Sequence, residues 1–167
     1  RNEVCLVKTD KTGTLQWEKT YGTTNEDGII DYNSCGVESR KNTVTQTADG
    51  GYLVGSATEI AGKHSGYVLK VDNAGVLQWS KTLKKSVASN DWCIDAIQVR
   101  NGEYIILMNS FENSSASGFS IVKLDNSGNT IWSKFYHNGG VSSCNPRGGN
   151  IQETADSGFV LTATKIF

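Results

Sequence analysis

The sequence predicts an all-β chain, an array of four-stranded antiparallel sheets repeated along its length. Three observations carry this. The stretch LVKTDKTGTLQWEKT at 6–20 returns as VLKVDNAGVLQWSKT at 68–82 and as IVKLDNSGNTIWSKF at 121–135. A second motif alternates with it: TVTQTADGGYLVGSAT from Thr43, DAIQVRNGEYIILMNS from Asp95 and NIQETADSGFVLTATK from Asn150. Composition agrees, with 18 Gly against a single Pro among 167 residues, many Thr, Ser, Asn and Val, and no stretch with helical period and caps.

The first motif reads as a hairpin. In Val68–Asp72, Leu69 and Val71 share one face while Val68, Lys70 and Asp72 share the other. Asn73-Ala74-Gly75 is the turn, with Gly supplying positive φ. Leu77–Thr82 is the return strand and carries Trp79. The matching turns are 11–13 and 126–128, and the matching indoles are Trp17 and Trp132. Both faces are apolar where this motif begins (Leu6 and Val7, Val68 and Leu69, Ile121 and Val122), so its strand is expected to be covered on both sides. The second motif reads as another hairpin. Asp49-Gly50 and Asn101-Gly102 are signals for a two-residue turn with both residues at positive φ, and Asp156-Ser157-Gly158 is their counterpart. An aromatic follows each turn: Tyr52, Tyr104 and Phe159.

Two hairpins make four strands, recurring about every fifty residues. That period with that content marks a β-propeller-type array of four-stranded antiparallel blades. Such a sheet cannot bury both faces alone; its neighbours must cover them. Each repeat keeps its Trp as an anchor, since burying a large apolar side chain is worth roughly 2–3 kcal/mol. The expected bounds are a half-blade at 1–21, blades at 42–83 and 94–136, and a half-blade at 150–167. This is about three blades' worth with split terminal half-blades, whereas closed propellers have about four to eight. The split ends are expected to pair with another copy of the chain or with other parts of a larger one, by strand addition.

The bulk numbers bound the rest. A net charge of −1 with interspersed signs argues against a nucleic-acid surface. No apolar run nears the ~18 residues of a membrane span, so no membrane insertion is expected. The chain opens on Arg1-Asn2-Glu3 and is expected to be processed or a piece of something longer. Cys5, Cys35, Cys93 and Cys144 form no C-x-x-C pair, which disfavours a zinc cage. Their even number suits an oxidising compartment and up to two disulfides, with three full pairings open; the competing reading is four buried thiols.

Candidate sites are few. Asp10, Asp72 and Asp125 open each Gly turn and read as Asx-turn caps ahead of a cation site. Asn25-Glu26-Asp27-Gly28 with Asp31 gathers oxygens but lacks the spacing and closing Glu of a calcium loop. Asp91 reads as a loop cap between sheets. His64, in a polar loop, and His137 lack the nucleophile and acid that covalent catalysis needs. Neither a metal nor a cofactor is expected. Trp92 and Tyr32 are the aromatics least explained by the repeat and are candidates for stacking on sugars. Asn113-Ser114-Ser115 fits the N-glycosylation acceptor.

Gln46–Tyr52 (QTADGGY), Val68–Asp72 (VLKVD), Trp79–Thr82 (WSKT) and Asn90-Asp91-Trp92 together resemble the DGGY-type β-propeller repeats of secreted and surface proteins. The resemblance covers the chain except 23–40 and 138–148; Glu103 replaces the second Gly of the motif and Ser157 interrupts its last turn. It implies an extracellular role in architecture, adhesion or display. Asp10, Gly13 and Trp17, with their later counterparts, are more loosely similar to the Trp-docking motif of quinoprotein-type propellers; that motif has one more residue between Asp and Gly, and no quinone chemistry is carried over. The expected function is a non-enzymatic extracellular structural, assembly or adhesion module. The alternative is a glycan-binding propeller, and the third reading is a hydrolase or oxidoreductase fragment.

Overall fold

The computed structural model describes residues 2–27, 42–112, 117–137 and 147–164. Every regular element among them is a strand. Those of the first half are β1 (Val4–Thr9), β2 (Leu15–Tyr21), β3 (Glu26–Asp27), β4 (Thr43–Gln46), β5 (Tyr52–Ile60), β6 (Lys63–Val71) and β7 (Leu77–Leu83). They are followed by β8 (Asn90–Gln98), β9 (Tyr104–Phe111), β10 (Gly118–Leu124), β11 (Thr130–His137), β12 (Arg147–Glu153) and β13 (Phe159–Thr164).

All ladders are antiparallel between chain neighbours, apart from a short pairing of β3 along β5 at Thr58 and Glu59. Four sheets result. The first is β1–β2, the second β4–β5–β6–β7 with β3 farther along the edge of β5 that β4 pairs, the third β8–β9–β10–β11, and the fourth β12–β13. The two complete sheets are the expected four-stranded units, and the two-stranded sheets hold the expected half-units. The third sheet begins at Asn90, ahead of the expected 94, and the fourth at Arg147, ahead of 150. Trp92 and Asp91 therefore lie in a strand and not in a connection.

The hairpin turns depart from expectation in type. At Asp49-Gly50 only Gly50 has positive φ, +81°. Gly50 N–H donates to Thr47 O at 2.9 Å, and Thr47 N–H to Gly51 O at 2.9 Å. This is a type I turn closed by a left-handed residue, the three-residue hairpin loop. Asn101-Gly102 repeats it, with Gly102 at +90°, and in the third copy Ser157 holds the left-handed position at +65°. The two-residue loop with both φ positive is Ala61-Gly62, between β5 and β6. His64 is therefore not in a loop: it lies in β6, opposite Glu59.

The sheets pack face to face, with one apolar cluster per interface. Val4 and Tyr21 of the first sheet meet Val54, Tyr67, Leu69 and Val71 of the second. Leu53, Val68 and Leu83 on the other face of the second sheet meet Ala96, Ile106, Met108, Val122 and Leu124 of the third. Ile105, Leu107 and Ile121 on the third sheet's far face meet Ile151 of the fourth. Adjacent residues such as Val68 and Leu69 are thus both buried, one in each core, as the apolar start of this motif requires.

Candidate functional site

The interfaces between sheets repeat one set of contacts. Trp17 of the first sheet sits edge-on to Tyr52 of the second, with ring centroids 6.0 Å apart. Trp79 meets Tyr104 of the third sheet at 5.5 Å, and Trp132 meets Phe159 of the fourth at 6.4 Å. Each of the first two indoles also covers the Gly turn of the next sheet. A Cβ on Gly75 would stand 3.2 Å from the Trp17 ring, and one on Gly128 2.8 Å from the Trp79 ring. Trp79 Nε1 donates to Asn126 O at 3.2 Å. All three indoles are only half-buried, so each contributes less than a fully buried indole.

Polar ties recur with the same spacing. The amide of Ala48 donates to Gln98 Oε1 at 2.7 Å, and that of Arg100 to Glu153 Oε2 at 3.0 Å. In each case a turn of one sheet is fixed to the first strand of the next. Within the second sheet, Lys70 is 1% exposed, and its ammonium meets Asp49 Oδ2 at 2.8 Å, Val71 O at 3.0 Å and Gln78 Oε1 at 3.0 Å. Lys123 of the third sheet pairs with Glu103 Oε2 at 2.5 Å.

At the two end sheets the same sequence positions lie open. Val7 corresponds to buried Leu69 and Val122, yet is 52% exposed. Val160 corresponds to buried Leu53 and Ile105, yet is 55% exposed. Val44 corresponds to buried Ala96 and Ile151 and is also 55% exposed, because among the described residues the first sheet has no strands equivalent to β4 and β5 to cover it. A Cβ on Gly13, the counterpart of Gly75 and Gly128, would meet nothing within 4 Å. Among the described residues, β1 pairs only with β2 and β13 only with β12. This pair of open, complementary half-sheets is the candidate site.

The remaining candidates are engaged in structure. Asp10 Oδ1 accepts the amides of Thr12 (2.8 Å) and Thr14 (3.0 Å). Asp72 does the same for Ala74 and Val76, and Asp125 for Ser127 and Asn129. The Thr12 hydroxyl and amide hold Asp10 below the usual carboxylate range; the amide and side chain of Asn129 do so for Asp125. Asp27 is buried and holds Thr23 through both its amide and hydroxyl. Asp91 Oδ2 accepts Lys85 N–H at 3.1 Å and the Ser89 hydroxyl at 2.5 Å, capping the β7–β8 connection from inside β8.

Trp92 corrects the expectation of an exposed aromatic. It is 8% exposed and its ring lies against His64, centroids 5.4 Å apart, so it offers no open face to a sugar. Cys5 is exposed and Cys93 is buried, and neither is in a disulfide among the described residues. Burial pushes the Cys93 thiol far above its ordinary range, with the Asp95 charge adding to the effect. Tyr32, Cys35, Asn113 and Cys144, like Gly28 and Asp31 of the oxygen-rich segment, lie outside the described residues. Only the backbone of His137, at the end of β11, is described. Among the described residues no three His, Cys, Asp or Glu side chains gather as a metal requires. A groove of about 610 Å³ opens beside Trp79, lined also by Tyr104, Asp49, Gln98 and Asn126; these are the residues of the interface itself.

No protein-family model matches the chain, and a search of the curated proteins finds no match either. Sequence reading alone did not single out Val7, Val44 and Val160 as a set. Their signal is the contrast with the aligned positions of the inner repeats, which needs the burial of those repeats to be known.

Proposed function

We propose that this chain is a non-enzymatic structural module of the β-propeller type, extracellular or at a cell surface, whose work is assembly with further sheets of its own kind. The observation that carries this reading is the pair of end sheets. Each is half of the four-stranded unit, and each exposes apolar side chains at positions that the inner repeats bury. An open strand edge beside an exposed apolar face is the usual route to strand addition. The engagement of the candidate carboxylates in turns supports a structural role over a chemical one. The resemblance to DGGY-type repeats supports the extracellular setting.

The test is the mass in solution. Light scattering over a dilution series is expected to give at least twice the 18.1 kDa chain mass at micromolar concentration. A single-chain mass at every concentration contradicts the reading.

A further inference from the structure

We infer that the chain joins a second copy of itself by completing one four-stranded sheet from two halves, β13 of one copy pairing antiparallel with β1 of the other. The inference rests on the assembly reading above and specifies its joint. In the complete sheets the middle ladder is β5–β6 or β9–β10. It sets Tyr52 opposite Val71 and Val54 opposite Leu69, and likewise Tyr104 opposite Leu124 and Ile106 opposite Val122. Phe159 occupies the position of Tyr52 and Tyr104, and Thr9 that of Val71 and Leu124. The joint therefore sets Phe159 opposite Thr9, Leu161 opposite Val7 and Ala163 opposite Cys5. A one-residue slip would turn every side chain of β1 to the wrong face.

Separate features fit this register. Val7 and Leu161 fall on one face, as Leu69 and Val54 do in their shared core. Val160 comes against Val44, as Leu53 shares a core with Ala96 and Ile105 with Ile151. Both valines are more than half exposed in the single chain. Asp156 reaches the place relative to Lys8 that Asp49 holds relative to Lys70, an opposite-charge match across the joint. Trp132 comes over Gly13, whose surroundings are open, as Trp17 covers Gly75 and Trp79 covers Gly128. The amide of Ala155 meets Gln46, as that of Ala48 meets Gln98.

The contact is head-to-tail, so each copy contributes both halves, and two joints close a ring in which no half-sheet is left. The ring holds two complete sheets from each copy and two shared ones, within the range of about four to eight for closed arrays.

The test introduces Ala163→Cys into the full chain beside the native Cys5 and treats it with mild oxidant or a short thiol-bridging reagent. The expected result is a covalent dimer. Mass spectrometry is expected to identify a peptide that joins Cys5 to the thiol introduced at position 163, and to lose it on adding Cys5→Ser. Thr162→Cys, one residue out of register and facing the other way, is expected to link at least tenfold less. Light scattering on the untreated variants accompanies the linkage. A twofold mass without the link from Cys5 to position 163 overturns this joint and leaves the assembly reading standing. Open oligomers linked at that pair keep the strand pairing and overturn closure by two copies. A single-chain mass without linkage, as further sheets supplied by the same chain would give, overturns both.

Discussion

Lys70 shows how one residue ties the turn of a hairpin to its strands. Its stem crosses the buried face of the second sheet, and its ammonium emerges beside Asp49, which is half exposed. The hydrogen bond from Lys70, helped by the Thr47 hydroxyl, holds the Asp49 carboxyl down to about 2. The folded chain therefore favours the charged carboxylate more than the unfolded chain does. That contribution is complete above the unfolded pKa of about 4 and drains away as pH falls from there toward 2. The urea midpoint is expected to drop between pH 5 and pH 2.5, and to drop less in Asp49→Asn, which keeps the turn's acceptor. Equal drops in the two proteins would remove Asp49 from the account. Ser157 supplies a second prediction. It holds at φ +65° a position that Gly50 and Gly102 fill in the other repeats. A non-glycine residue there costs about 1–2 kcal/mol, partly offset by the entropy that Gly brings to the unfolded chain. Ser157→Gly is expected to raise stability by about 0.5–1 kcal/mol by denaturant titration, and a loss of stability would contradict the strain.

At the scale of single elements, β8 is the strand whose reading changes most. Its leading residues Asn90–Cys93 lack the alternation of a half-buried strand, because Asp91 is buried as a cap and Trp92 packs on His64. Period alone therefore places the strand's start too late. Turn type was likewise hidden. Asp-Gly and Asn-Gly announce a hairpin, but the backbone bonds at Thr47 and Val99 decide that only the Gly turns left-handed. The hairpins, their faces and the recurrence of the three indoles were legible, since each follows from alternation and repetition. Side chains that lean on another sheet were not, because no local pattern reports what lies across an interface. Trp92 tests the revised β8. Trp92→Ala is expected to destabilise the chain by about 3–5 kcal/mol, as loss of a buried indole does. Unchanged thermal stability would return Trp92 to the surface and to the role of a ligand contact.

At the scale of the whole molecule, the described residues form a series of four sheets in which each of the inner two packs on a neighbour at both faces and the outer two are halves. Covering one large aliphatic side chain is worth about 1.5–3 kcal/mol. Val7, Val44 and Val160, all more than half exposed, therefore make completion of the end sheets favourable by several such increments, before the entropy of association is charged. The repeat itself was plain in the sequence. That its ends expose side chains which the inner repeats bury became visible only when the buried inner positions were set beside their exposed counterparts. Amide hydrogen exchange tests this most directly. With β6 and β10 as protected references, the outward amides of β1 and β13 are expected to be protected together at high concentration and to lose that protection together on dilution. Fast exchange at both edges at every concentration, while β6 and β10 stay protected, would contradict the account.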